Sequence, residues 1–268
     1  MQKKDLRKIR TAAVLSALIL TFLLSAGSAA RVILEDTASS REYEYVKEEA
    51  GKTEEEAAVR PFPSASEKKE RESADSRTDI AQTYGLPDID EDKLLSMNSE
   101  YAAWLFVPEA GIDLPVVFPP DNGKYLKRTF LGETNSSGCL FFDSGSAPLS
   151  SGNSIIHGHN MRNGTMFGSL KKFLDKEYGG RDVEAFLLVN GTWRRYLLFA
   201  GILVPDTDPY PYTALFSSRA DTETYSSYLN ENSCLSRIKV PGNRDRILSL
   251  STCHGKGKKL ILFFSETF

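Results

Sequence analysis

The chain is predicted to hold a mostly-β domain, a barrel or a sandwich, exported behind an N-terminal apolar segment. Eight short β-type runs succeed one another between residues 102 and 264. Gly, Pro, Asn and Asp punctuate them at the intervals of an all-β fold. Ahead of them lies an apolar run on a basic flank, then a charged segment poor in large aliphatics. At 268 residues and 41% hydrophobic, there is room for one sizeable domain plus extensions.

The flank, residues 1–10, reads "MQKKDLRKIR" and is dominated by Lys and Arg. Residues 11–34 read as a transmembrane signal-anchor: from Thr11 to Ala30 there is no charge, over about the length needed to span a bilayer. A positive flank places the start in the cytoplasm and the rest outside. The rival reading is a cleaved signal peptide, because "SAGSAA" offers small residues at cleavage-like spacing. Either way the remainder is exported. Residues 35–85, dense in Glu, Lys, Arg and Ser, cannot bury enough apolar surface to offset their ordering entropy and read as a flexible stalk, in part a charged helix.

Residues 86–268 form the predicted domain. "DEDKLLSMNSEY" opens it as a helix. The strands are "AAWLFVP", "DLPVVF", "GCLFFD", "NSIIHG", "VEAFLLV", "WRRYLLFAGILV", "RILSLST" and "KLILFF". Two helical patches interrupt them, "MFGSLKKFLDKEYG" and "DTETYSSYLNENSCLSRI", the second with Asp221 as its expected cap. No internal repeat is visible.

A net charge of -3 gives no bulk case for nucleic acid. Cys139, Cys234 and Cys253 are too few and scattered for a disulfide framework, and no Cys/His spacing suggests zinc or another cofactor. Cys139 and Cys234 read as structural thiols. Cys253 differs: "SLSTCHGKGKKLILFF" sets it at a strand end before three lysines, the setting that activates a thiol. Such a nucleophile needs a histidine. His254 adjoins it, but successive strand-end side chains point apart. His157 and His159 follow "SII" and, two apart on a strand, would share a face.

"IIHGHNMRNGTMFGSL" together with "LSTC" closely resembles the paired signatures of class B sortases, cysteine transpeptidases of Gram-positive cell walls. Upstream, "NSEYAAWLFVPEAGIDLPVVFPPDNGKYLKRTFLGETNSSGCLFFD" follows the same family's ordered motifs. The resemblance spans about residues 86 to 264. It implies a closed β-barrel of about eight strands, with an N-terminal helix and an inserted helix before the cysteine strand.

It further implies roles. The nucleophile falls on Cys253 and the acid–base histidine on His159, with His157, where the family more often has tyrosine, set back as a wall. Asn122 and Leu126 match groove-lining positions, although Asn122 equally suits the turn "PPDNG". Tyr125 and Leu126 could also be core, and Met166 and Phe167 read as packing. Ser251 and Thr252 precede the cysteine, and Tyr228 on the inserted helix is a plausible substrate contact, burial against the barrel being as good a reading. The family's third catalytic residue is an arginine before the last strand. Here that place holds Lys259, after a shortened loop, and lysine lacks the planar fork of a guanidinium. Lys256 and Lys258 read as solvent-facing, and Arg244 and Arg246 begin the preceding strand at its far end.

The resemblance implies cleavage after Thr of a C-terminal sorting signal of the Asn-Pro-x-Thr type, through a thioacyl-enzyme on Cys253. Lys259, with the backbone N–H near Thr252, would steady the oxyanion. Partners would be surface proteins bearing the signal and an amine acceptor, on a peptidoglycan precursor or, in pilus-building relatives, on another protein. The localisation implied is a single-pass membrane protein with an extracellular catalytic domain. Two other classes stay open: a degenerate sortase that binds without efficient catalysis, given Lys259, and a cysteine peptidase that hydrolyses.

Overall fold

The computed structural model describes residues 3–51, 80–146, 148–150, 152–175, 178, 181–235 and 246–267. Eight strands close into one barrel: β1 (Tyr101–Val107), β2 (Ile112–Val117), β3 (Leu140–Phe142), β4 (Asn153–His157), β5 (Glu184–Val189), β6 (Thr192–Pro205), β7 (Ile247–Cys253) and β8 (Lys258–Thr267). Around the wall the order is β1-β2-β3-β4-β7-β8-β6-β5, and β5 pairs back to β1. The pairs β2/β3 and β4/β7 are parallel, the rest antiparallel. Every run read as a strand is one, and closure, which leaves no exposed edge, decides for barrel over sandwich.

Among the described residues four α-helices accompany it: α1 (Lys3–Ala50), α2 (Ile80–Tyr84), α3 (Glu91–Met97) and α4 (Arg219–Asn232). The N-terminal and inserted helices are therefore both present. The uninterrupted apolar run of β8 is explained by what lies on its two sides. Leu260, Leu262 and Phe264 join the barrel core with Trp104 and Phe142. Ile261 and Phe263 face outward into a second cluster with Phe199, Ile202, Tyr225 and Leu229. Tyr225 and Leu229 are four apart on α4, so one helical face seals the outside of β6 and β8. A strand buried on both faces loses its alternation.

Two local expectations change. The cap of α4 is Ser218, whose Oγ accepts from the Asp221 N–H at 3.2 Å. Asp221 sits inside the first turn and reaches back to the Ser217 N–H at 3.0 Å, so the two residues cap reciprocally. In "MFGSLKKFLDKEYG" the described residues form a 3-10 turn, Leu170–Leu174, with Leu170 and Phe173 buried at that helix's three-residue spacing, while residues 176, 177 and 179 lie outside the described residues.

The segment read as a stalk differs more. Helix α1 continues without a break to Ala50, and Ser39, Tyr43, Val46 and Ala50 are buried. Their spacing of four, three and four makes a narrow stripe on an otherwise charged helix. Lys47 pairs with Asp113, which also accepts from Trp104 Nε1 at 2.7 Å. At the other end Tyr84 of α2 packs on Phe186, ring centroids 5.1 Å apart. Composition hides such a stripe because a few apolar side chains, correctly phased, suffice to dock a helix. The part of the expected stalk at residues 52–79 lies outside the described residues. Earlier in α1 the apolar side chains from Val14 to Leu34 are exposed, and this helix is long and apolar enough to cross a membrane.

Docking of α1 makes a stability prediction. Val46→Asp puts a carboxylate at a position with 0% exposure and is expected to cost about 2–4 kcal/mol. Glu44→Ala, on the exposed face, should stay within about 0.5 kcal/mol of wild type. Thermal melts of the full chain check both; equal melting temperatures would mean that the helix hangs free.

Candidate active site

The site is assembled by the parallel pairing of β4 with β7. In that register His157 lies opposite Ser251, so both strands end at the same mouth of the barrel. The chain leaving β4 stays pinned to the end of β7. Gly158 N–H donates to Ser251 O at 3.1 Å, Thr252 Oγ1 donates to Gly158 O at 2.8 Å, and Asn160 Nδ2 donates to Cys253 O at 2.7 Å. Gly158 is required there, since a Cβ would lie 2.5 Å from Leu140 and 2.7 Å from Phe167. His159 is thus carried between two residues tied to the cysteine strand.

Cys253 is exposed at the last position of β7. The turn to β8 is short, and Gly255 (φ 71°) and Gly257 (φ 68°) supply left-handed backbone that other residues rarely adopt. The turn closes with His254 N–H donating to Lys258 O at 2.8 Å. This sets Lys259 directly across from Cys253, and its Nζ donates to Cys253 Sγ at 3.3 Å. The lysine and the thiol therefore form a cross-strand pair. Lys256 and Lys258 are exposed. Arg246 precedes the far end of β7, and Arg244 lies outside the described residues.

The other thiols sit differently. Cys139 is buried, and burial pushes its thiol up to about 12. Cys234 is tied to Gly201, its Sγ 3.0 Å from the carbonyl oxygen, and burial raises its pKa as well.

His159 Nε2 donates to Leu126 O at 2.7 Å. A carbonyl has no proton to give, so Nε2 carries the hydrogen and Nδ1 is the nitrogen left to exchange one. His157 has a separate environment. Its ring lies between Phe141 (centroids 5.2 Å) and Tyr212 (5.8 Å), and its Nε2 donates to Asp143 Oδ2 at 2.9 Å. The Asp143 carboxyl is held below the usual carboxylate range, first by His157 and then by Gly145 N–H and the Asn122 amide, against the effect of burial. His157 is a buttress of the mouth.

The remaining sequence-derived candidates divide. Leu126 presents an exposed side chain as well as the carbonyl under His159. Asn122 has its amide committed: Nδ2 donates to Asp143 Oδ2 at 2.8 Å and Oδ1 accepts from Ser144 N–H at 2.8 Å. Ser251 and Thr252 are buried, the first with Oγ 3.0 Å from the Tyr212 hydroxyl, the second bonded to Gly158 O. Both hydroxyls are engaged within the chain. Tyr228 is half-buried, donates to Asp208 Oδ2 at 3.2 Å and packs edge-on to Tyr210 at 4.6 Å, beside the turn that carries Tyr212. Sequence reasoning passed over Asp143, Asn160 and Tyr212. Asp143 ends "GCLFFD" and Asn160 ends "HGHN", each within a quoted motif; Tyr212 gives no local signal.

The sortase domain family model matches residues 105–263. Sortase B of Listeria monocytogenes is 31% identical over 175 residues, 63% of this chain and 70% of that protein. The structure of Clostridium perfringens sortase B aligns with a TM-score of 0.64 and 29% identity, over 67% of this chain and all of that one. The Staphylococcus aureus sortase B–substrate complex aligns at 0.66 over 87% of this chain and 98% of that one, and at 18% identity that likeness speaks to fold. The chain belongs to the sortase family of transpeptidases, in its class B.

Proposed function

We propose that Cys253 is the nucleophile, His159 the acid–base group and Lys259 the cationic donor in transfer of a sorting-signal peptide to an amine. The observation that carries this is the contact of Lys259 Nζ with Cys253, an exposed cysteine whose carbonyl is bonded to the histidine segment through Asn160. The Cys253 thiolate adds to the carbonyl carbon of Thr in a signal of the Asn-Pro-x-Thr type, and the carbonyl electrons move to oxygen. Lys259, already aimed at the sulfur, is placed to donate to that oxyanion. As the oxyanion collapses, the C–N bond breaks and His159 gives its proton to the departing amine, leaving a thioester. The acceptor amine then adds, His159 removes its proton, and the thiolate leaves.

The acceptor in this reading is an amino group of a peptidoglycan precursor; a lysine of another protein would serve the same chemistry. Sortases are cell-surface enzymes, and the exposed apolar part of α1 supports a single-pass anchor with the barrel outside. The substitution of lysine for arginine favours one competing reading, a chain that binds signals without turning them over.

Mass spectrometry of the protein with a sorting peptide, with and without a glycine-type amine, separates these readings. An acyl adduct plus transfer product is expected; an adduct released only to water marks a peptidase, and no adduct a binding protein. Cys253→Ala should abolish the adduct, whereas Cys139→Ala and Cys234→Ala should retain it.

Lys259→Ala is expected to lower kcat by about a hundred- to a thousandfold, the effect of losing one oxyanion donor. Lys259→Arg should stay closer to wild type, and Lys256→Ala and Lys258→Ala should be near-silent. Steady-state transfer rates check the series. A silent Lys259→Ala in an active enzyme would assign the oxyanion to another group.

A further inference from the structure

Helix α1 grips the loop before β3 along one face. Glu35 O accepts from Asn135 Nδ2 at 2.9 Å, and Glu35 Oε2 accepts from Ser136 Oγ at 2.9 Å. Ser39 Oγ meets Ser137 Oγ, Glu42 Oε1 accepts from Leu131 N–H at 2.9 Å, and the buried Tyr43 hydroxyl donates to Gly138 O at 2.7 Å. Residues 35, 39, 42 and 43 fall on one helical side.

The last of these bonds leads on to the mouth of the barrel. The peptide unit that accepts from Tyr43 through Gly138 O donates, through Cys139 N–H, to Tyr125 O at 3.1 Å. The next carbonyl along, Leu126 O, accepts from His159 Nε2. Gly138 has φ +61°, and a Cβ there would lie 2.4 Å from Tyr125 O and 3.1 Å from His159 Cδ2. No side chain can intervene between that peptide and the histidine ring. The bond to Tyr125 O holds the backbone one peptide unit before the Leu126 carbonyl, and Leu126 N–H is itself tied to Gly123 O at 3.3 Å, so the link to the histidine is one of position.

We propose that Tyr43 is a positioning residue for His159: through the Gly138–Cys139 peptide, the helix that carries the apolar N-terminal segment fixes the Leu126 carbonyl, and with it the orientation and tautomer of the histidine. This rests on the reading of His159 as the acid–base group. A buried phenol with no other role would need only some acceptor; this one takes a peptide that abuts both the histidine and the turn holding it.

Tyr43→Phe in the full chain deletes the hydroxyl and keeps the ring. Its kcat for transfer is expected to fall about tenfold with KM unchanged, the scale of one buried hydrogen bond left unmade. The pH–rate profile should move in its histidine limb. The chain has three histidines, so 15N-histidine spectra should show one ring gaining the Nδ1–H tautomer. Glu42→Ala, which removes a neighbouring α1 contact off this path, should leave rate, profile and spectrum unchanged. Should Tyr43→Phe fail to fold, Ser39→Ala, which frees the residue before Gly138, is expected to move the same ring's resonances. A folded Tyr43→Phe, or in its place Ser39→Ala, that leaves the profile and spectrum unmoved beside an inactive His159→Ala overturns the relay alone. A His159→Ala chain that still transfers overturns both the relay and the role of the histidine.

Discussion

The parallel ladder between β4 and β7 is the constraint on which the rest depends. Parallel strands cannot be joined by a tight hairpin, and between these two the chain must travel through β5, β6 and α4 before it returns. The detour brings residues 157 and 251 side by side, and the direction of pairing makes both strands finish at one rim. An antiparallel pairing would send the histidine segment and the cysteine to opposite ends of the barrel. Hydrogen bonds from Gly158, Asn160 and Thr252 extend the ladder past the strand ends, so His159 and Cys253 inherit the rigidity of the wall. Positions set on strands in this way are held more tightly than positions on free loops.

Closure of the barrel rests on residues with two audiences. Strand β8 sends Leu262 and Phe264 inward and Ile261 and Phe263 outward, and only the presence of α4 makes the outward pair favourable. The helix inserted before the cysteine strand is therefore part of what keeps β7 and β8 in register. The same register aligns Lys259 with Cys253. Packing on the outer surface and chemistry at the rim are linked through a single hairpin.

Strands were the legible part of this chain, because short apolar runs between turn residues have few other uses. The sequence also marked Cys253 as a strand-end thiol followed by lysines, and the structure adds which lysine lies across from it, Lys259. What composition concealed was docking. Tyr43, Val46 and Ala50 look sparse among Glu, Lys and Arg, and only helical phase reveals that they share a face. The commitments of polar groups were equally hidden. Nothing in "PPDNG" tells that Asn122 spends its amide on Asp143 and Ser144, or in "LSTC" that one hydroxyl meets Tyr212 and the other Gly158 O. Motif positions mark where a residue sits; which partner its polar atoms face is decided by segments distant in sequence, such as the turn carrying Tyr212.

The unbroken course of α1 has a geometric consequence. Between Ala30, where the uncharged run ends, and Ser39, the first buried side chain, the helix rises about 14 Å at about 1.5 Å per residue. A random-coil tether lets an enzyme sample a hemisphere whose radius grows with tether length. A helix that is clamped to its cargo holds one altitude. If the uncharged run lies in a bilayer, the barrel rim sweeps a thin layer parallel to the lipid plane, and encounter with another anchored chain becomes a search in two dimensions. Substrate choice then depends on how far from its own anchor a peptide presents its cleavable bond, as well as on its sequence.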